Sequence, residues 1–116
     1  TMPVIGGAGG KHMLHMLRLG VAAFMTGTEA LDLHAAVVQN YLNGDEEAAA
    51  NVYYERVLPY LVFYLDHSDE LLKAMLHRRG VLDYPNVIPP AGARTMSAIE
   101  RREFEWVLDR IGYGNA

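Results

Sequence analysis

Cysteine is absent from the 116 residues, which excludes disulfides and thiolate chemistry. Lysine is nearly absent: Lys11 and Lys73 are the only two. Long hydrophobic runs are missing too. The longest, Val57 to Leu65, falls well short of the roughly 20 apolar residues that a membrane-spanning helix needs. Met2 to Gly10 has neither the basic start nor the apolar core of a signal peptide. There is no excess of positive charge, the net value being -4, which argues against a nucleic-acid partner. A soluble cytoplasmic protein with no nucleic-acid and no membrane partner is the expectation. What is present is an apolar half, 51% of the residues, enough at this length for one domain with a hydrophobic core.

The rest of the chain is organised around Pro3 to Gly27. Val4-Ile5 is a short apolar run ending in Gly6-Gly7-Ala8-Gly9-Gly10. Lys11 to Leu19 places Met13, Leu14, Met16 and Leu17 at helical spacing, and Gly20 stops that helix. Val21 to Met25 is a continuous apolar run, short enough for a strand buried on both faces. Two strands joined by a helix make a parallel pair. Parallel pairs occur with further strands beside them and with both faces covered. Everything after Gly27 reads as helix or loop, so the chain offers no third strand. It reads as a piece of a larger parallel α/β fold.

Downstream, Thr26-Gly27-Thr28-Glu29 has the residues to cap a helix, and Leu31, Ala35, Val38, Tyr41 and Leu42 recur at helical spacing up to Gly44. Asp45-Glu46-Glu47 opens the next helix, which Pro59 should kink or split. Ser68-Asp69-Glu70 begins another, closed by His77-Arg78-Arg79-Gly80. A connector with Pro85, Pro89, Pro90 and Gly92 leads to the capping box Ser97-Ala98-Ile99-Glu100. The last helix is expected to turn Ile99, Trp106, Val107 and Ile111 inward. The fold class is therefore mostly α, with two short parallel strands and four or five helices.

The order and spacing of these segments resemble the C-terminal part of the dihydrodipicolinate synthase and N-acetylneuraminate lyase family, from about Pro3 to about Tyr113. The matching segments are the glycine turn Gly6 to Gly10, the helix end Leu19-Gly20, and a strand end at Met25-Thr26. Asn43-Gly44-Asp45 before alanines, Arg56-Val57-Leu58-Pro59, and Leu72-Lys73-Ala74-Met75-Leu76 before Gly80 follow in order. Gly7-Ala8-Gly9 stands where dihydrodipicolinate synthases carry an acidic G-D-D turn. That is closer to the branch dehydrating 2-keto-3-deoxy sugar acids. Asn86 to Pro90 lacks the arginine of the family's Arg-Pro pair. The resemblance implies the last two βα units of a (β/α)8 barrel over residues 1–44, with strands at about 3–6 and 21–26. A C-terminal helical subdomain would span 45–116. It also implies a parent lyase that forms a Schiff base with a 2-keto acid, uses no cofactor, and dehydrates its substrate or cleaves an aldol bond. Gly6, Gly7, Ala8, Met25 and Thr26 would line the substrate pocket. The family's Schiff-base lysine and catalytic tyrosine would precede Thr1, so this chain alone is expected to be inactive.

Other residues have alternative readings. Lys11 could act as an amine nucleophile, but opens a helix where solvent is the ordinary surrounding. The glycine turn could hold an anion at the helix start or simply be tight. His12 and His15, at i and i+3, could share a metal, although no third ligand is spaced to join them; helix-surface histidines are the plainer reading. His34, His67 and His77 look scattered, with His77 suited to a helix C-terminus. Tyr53, Tyr54, Tyr60 and Tyr64 could mark a ligand groove or pack between helices. Arg78-Arg79 and Arg101-Arg102 read as solvated faces. The alternative function is a non-enzymatic helical interaction module, with a phosphate-binding half-barrel a third. Unpaired strand edges lead us to expect a homo-oligomer.

Overall fold

The computed structural model describes residues 2–88 and 94–113. The chain is mostly helical with two short parallel strands, and it divides into two compact units, 1–61 and 62–116. No helix among the described residues is long and apolar enough to cross a membrane.

In the first unit, β1 (Ile5–Gly6) pairs in parallel with β2 (Ala23–Phe24), Ile5 opposite Ala23 and Gly6 opposite Phe24. The Ala22 N–H donates to the Val4 carbonyl at 2.9 Å, and the Met25 N–H donates to the Gly6 carbonyl at 2.8 Å. Between the strands runs α1 (Met13–Arg18), which buries Met13, Leu14 and Leu17. The strands are shorter than expected, and the expectation of burial on both faces fails. Val4, Ile5 and Met25 are each more than half exposed. The cause is that no third strand and no second helical layer among the described residues covers them.

Helix α2 (Leu31–Leu42) forms where the helical spacing placed it. Its buried residues are Leu33, His34 and Val37, whereas Leu31 and Leu42 are exposed and Ala35 and Val38 are half-buried. The apolar stripe read from the sequence is thus only partly covered, with its ends Leu31 and Leu42 exposed. The cap expected at Thr26 to Glu29 does not form. Gly27 precedes a single 3-10 turn, Thr28–Ala30, no side chain caps it, and Glu29 is turned inward. Helix α3 (Glu46–Val52) is capped as expected, the Asp45 carboxylate accepting from the Ala48 N–H at 2.9 Å. It passes through a π-helical segment, Tyr53–Val57, into α4 (Leu58–Leu61). Pro59 has no N–H and its ring crowds the carbonyl four residues back. The helix absorbs this by widening just before the proline rather than splitting there.

In the second unit, α5 (Tyr64–Arg78) starts earlier than Ser68 but breaks at His67, with φ -140° and ψ 38°. Ser68-Asp69-Glu70 is thus the first turn of its regular part. Helix α6 (Ala98–Arg110) begins with the expected capping box: the Glu100 N–H donates to Ser97 Oγ at 3.2 Å, and the Ser97 N–H donates to Glu100 Oε2 at 2.8 Å. That bond and the Arg94 guanidinium lower the Glu100 pKa to about 2. The buried face of α6 matches the expected one only in part: Ile111 is buried and Val107 half-buried, but two of the expected residues point outward. Trp106 is 55% exposed and Ile99 78% exposed. Phe104, Leu108 and Ile111, at i, i+4 and i+7, form the buried stripe. Phe104 packs edge-on against Phe63, ring centroids 5.2 Å apart.

The arginines are not simply solvated faces. Arg78 bridges α5 to Glu105 at 3.0 Å and to Asp109 on α6. Arg79 donates to the Tyr113 hydroxyl at 3.2 Å, and Arg101 donates to Glu70 at 2.5 Å. Arg102 lies on an exposed position. The connector residues Pro89, Pro90 and Gly92 lie outside the described residues.

Candidate functional site

The two strands run in the same direction, so both present their C-terminal ends at one edge of the first unit. Parallel α/β folds place ligand sites at that edge. Gly6 and Gly7 leave β1 there, and Met25 and Thr26 leave β2. The structure brings Gly6 and Met25 together through the bond from the Met25 N–H to the Gly6 carbonyl. A Cβ on Gly7 would lie 4.0 Å from the Met25 carbonyl. Gly6 must be glycine for space, since a Cβ would stand 2.6 Å from the Phe24 ring. Ala8 holds φ at 55°, a left-handed conformation that costs an L-residue about 1 kcal/mol. The turn is therefore held by its surroundings rather than by local preference. Met25 is 75% exposed.

Thr26 sits on a different surface, a cleft of about 260 Å³ between β2 and α2. Phe24, Leu31, His34, Ala35 and Val38 share that lining. It joins side chains of β2 to the partly exposed stripe of α2.

Beneath the turn lies a polar cluster. His34 is 3% exposed, and its Nε2 is hydrogen-bonded to the Tyr60 hydroxyl at 2.8 Å. Gly10, with φ at 84°, rests directly on this ring: a Cβ there would lie 3.2 Å from Nε2. The Tyr53 hydroxyl donates to the Lys11 carbonyl. Burial lowers the His34 pKa, the Asp32 carboxylate opposing it, and burial raises the Tyr53 pKa. The ring is therefore neutral near pH 7. His34 Nδ1 has no hydrogen-bond partner among the described residues.

Glu29 is the second buried polar group of the first unit; His67, in the second unit, is buried as well. Glu29 is fully buried, and neither carboxyl oxygen has a hydrogen-bond partner among the described residues. Burial raises its pKa, its own backbone amide opposing more weakly. Gly27 makes room for it, since a Cβ there would fall 2.7 Å from Glu29 Cδ. The φ of Gly27 is an ordinary -68°, so its requirement is for space.

The remaining candidates are scattered. Lys11, His12 and His15 are exposed. No group of three His, Cys, Asp or Glu able to hold a metal occurs among the described residues. His77, at the end of α5, donates from Nδ1 to the Leu82 carbonyl at 2.9 Å, and Lys73 donates to the Asn86 carbonyl at 2.9 Å. Tyr53 and Tyr60 are buried, while Tyr54 is exposed and Tyr64 half-buried. Sequence reading missed the pairing of His34 with Tyr60, which are 26 residues apart. The available signal was a histidine on the same helix face as Leu33 and Val37. No family model, curated protein or solved structure matches the chain.

Proposed function

We propose that this chain is the C-terminal part of a Schiff-base-forming lyase of the dihydrodipicolinate synthase family. Its parent would act on a 2-keto acid such as a 2-keto-3-deoxy sugar acid, by dehydration or aldol cleavage. On this reading β1 and β2 are the seventh and eighth strands of a (β/α)8 barrel. The turn Gly6-Gly7-Ala8 and the strand end Met25-Thr26 belong to the pocket mouth. The small residues of the turn let a substrate carboxylate or keto group approach backbone N–H groups closely.

The observation that carries the reading is the open flank of β2. A closed parallel barrel needs a strand on that flank, with apolar side chains filling the layer beneath the helices. What supports it is a parallel pair whose second strand has no further partner among the described residues, with an apolar cleft lined by residues of β2 and of the apolar stripe on α2. A second apolar trough of about 600 Å³, with Val4, Met16, Leu19 and Val21 among its lining, opens at the N-terminal ends of the strands. Exposed apolar surface of this kind marks a missing neighbour.

The test is the coding sequence upstream of Thr1. The reading predicts six further βα units in frame, one strand carrying a lone lysine and the strand before it a tyrosine. Translation beginning at Met2 would sink it and favour the helical interaction module.

A further inference from the structure

We propose that His34 and Tyr60 are positioning residues for the glycine turn, holding the peptide groups of Gly7 to Lys11 in the arrangement that a 2-keto acid would meet. The proposal rests on the reading of that turn as a pocket rim, but its physical content is independent of it.

The turn has little to hold it by itself. Its internal bonds are Gly10 N–H to the Gly7 carbonyl at 3.2 Å and Lys11 N–H to the Ala8 carbonyl at 3.1 Å. Three of its residues hold positive φ: Ala8, Gly9 and Gly10. Glycine-rich backbone in such a conformation has many alternatives. What selects this one is the floor. Gly10 lies against the His34 imidazole, where an added Cβ would make a tight contact at 3.2 Å, and Tyr60 fixes the ring from α4. Tyr53, seven residues earlier on the same rod, ties down the Lys11 carbonyl. The π-helical widening begins at Tyr53 and ends before Tyr60. A hydrophobic side chain would fill the floor equally well. A buried histidine whose Nδ1 has no partner among the described residues costs stability that an apolar side chain would not, and a positional role for the ring fits that cost.

The brace is also sensitive to protonation. The groups acting on the ring are Asp32 from α2, Tyr60 from α4 and the uncharged Gly10 from the turn. An imidazolium would bury a charge and an unpaired N–H together. Protonation therefore breaks the floor, and the turn loosens as pH falls below the histidine's ordinary 6.5.

Amide hydrogen exchange on the chain tests this, read residue by residue by NMR at pH 5.5 and 7.5. Tyr60→Phe should speed exchange of the Gly10 and Lys11 amides about tenfold, the population change carried by one hydrogen bond. The Ala22 and Met25 amides of the strand ladder should hold their rates. In the wild type the corrected rates of Gly10 and Lys11 should rise at the lower pH. His34→Gln, which keeps a partner for Tyr60, should remove that rise while retaining protection at pH 7.5. A uniform acceleration across the unit, or unchanged rates at the turn, would overturn the proposal. If the turn responds as stated but the full-length protein takes no 2-keto acid adduct, the brace stands and the rim reading fails.

Discussion

Phe104→Ala is expected to destabilise the second unit by about 3–5 kcal/mol, the range for emptying a buried aromatic site. Phe104 is completely buried, and truncating it leaves a cavity beside Phe63. The unit's other buried side chains, Leu71, Met75 and Leu108 among them, are held by dense packing and relax only partly into such a space. Trp106→Ala, a larger truncation, is expected to cost under about 1 kcal/mol, because the removed surface is mostly in water and the interaction it removes is an exposed cation–π pair. In that pair the Arg110 guanidinium lies 5.4 Å from the indole centroid. Urea unfolding of the two variants decides the matter. Equal midpoints, or a larger destabilisation at Trp106, would mean that α6 turns its other face inward.

Glu29→Gln should make the first unit more stable than wild type at neutral pH, with a gain that shrinks toward pH 4.5. The Glu29 pKa is raised by burial, so the folded state binds its proton more tightly than the unfolded state does. Its stabilising contribution is complete below the ordinary carboxyl value of 4.5. It is lost as pH rises through the folded pKa, where the unfolded chain has already released the proton. Glutamine keeps the shape and cannot ionise. The gap between variant and wild type should therefore widen as pH rises from 4.5 to 7. His34 works in the opposite direction, since its lowered pKa removes stability as pH falls below 6.5; both proteins share that effect. A pH-independent gap would show that the carboxyl is paired or solvated.

The parts legible in the sequence were those decided by local backbone chemistry. The glycine turn, the helix ends at Gly20, Gly44 and Gly80, the Asp45 cap and the Ser97–Glu100 box follow from which residues tolerate or satisfy each backbone geometry. Which face of a helix is buried was not legible. Helix α2 has apolar residues on two faces, and the choice between Leu33–Val37 and Leu31–Val38 depends on what lies beside it. Trp106 drew the α6 stripe toward itself by size, although an amphipathic ring can sit half in water. Glu29 read as a cap because acid residues favour that place, yet here the 3-10 turn points it inward. The His34–Tyr60 bond joins residues that only the tertiary fold brings together. The residues proposed for a pocket rim were named through a family resemblance. Gly6, Gly7 and Met25 do meet at one end of the strand pair, and Thr26 faces the neighbouring cleft.

The most direct measurement for the central claim is borohydride trapping with pyruvate, read by peptide mass spectrometry on this chain and on the full-length gene product. A Schiff base forms when an unprotonated amine adds to the keto carbon and water leaves, and borohydride reduces the imine to a stable secondary amine. Such an amine needs a desolvated pocket to lower its pKa. Of the two lysines here, Lys11 is exposed, and the Lys73 side-chain nitrogen donates to the Asn86 carbonyl. The predicted result is no adduct on residues 1–116 alone, and one adduct per full-length chain on a single lysine upstream of Thr1. A stoichiometric adduct on Lys11 or Lys73, or none anywhere in the full-length protein, would contradict the account.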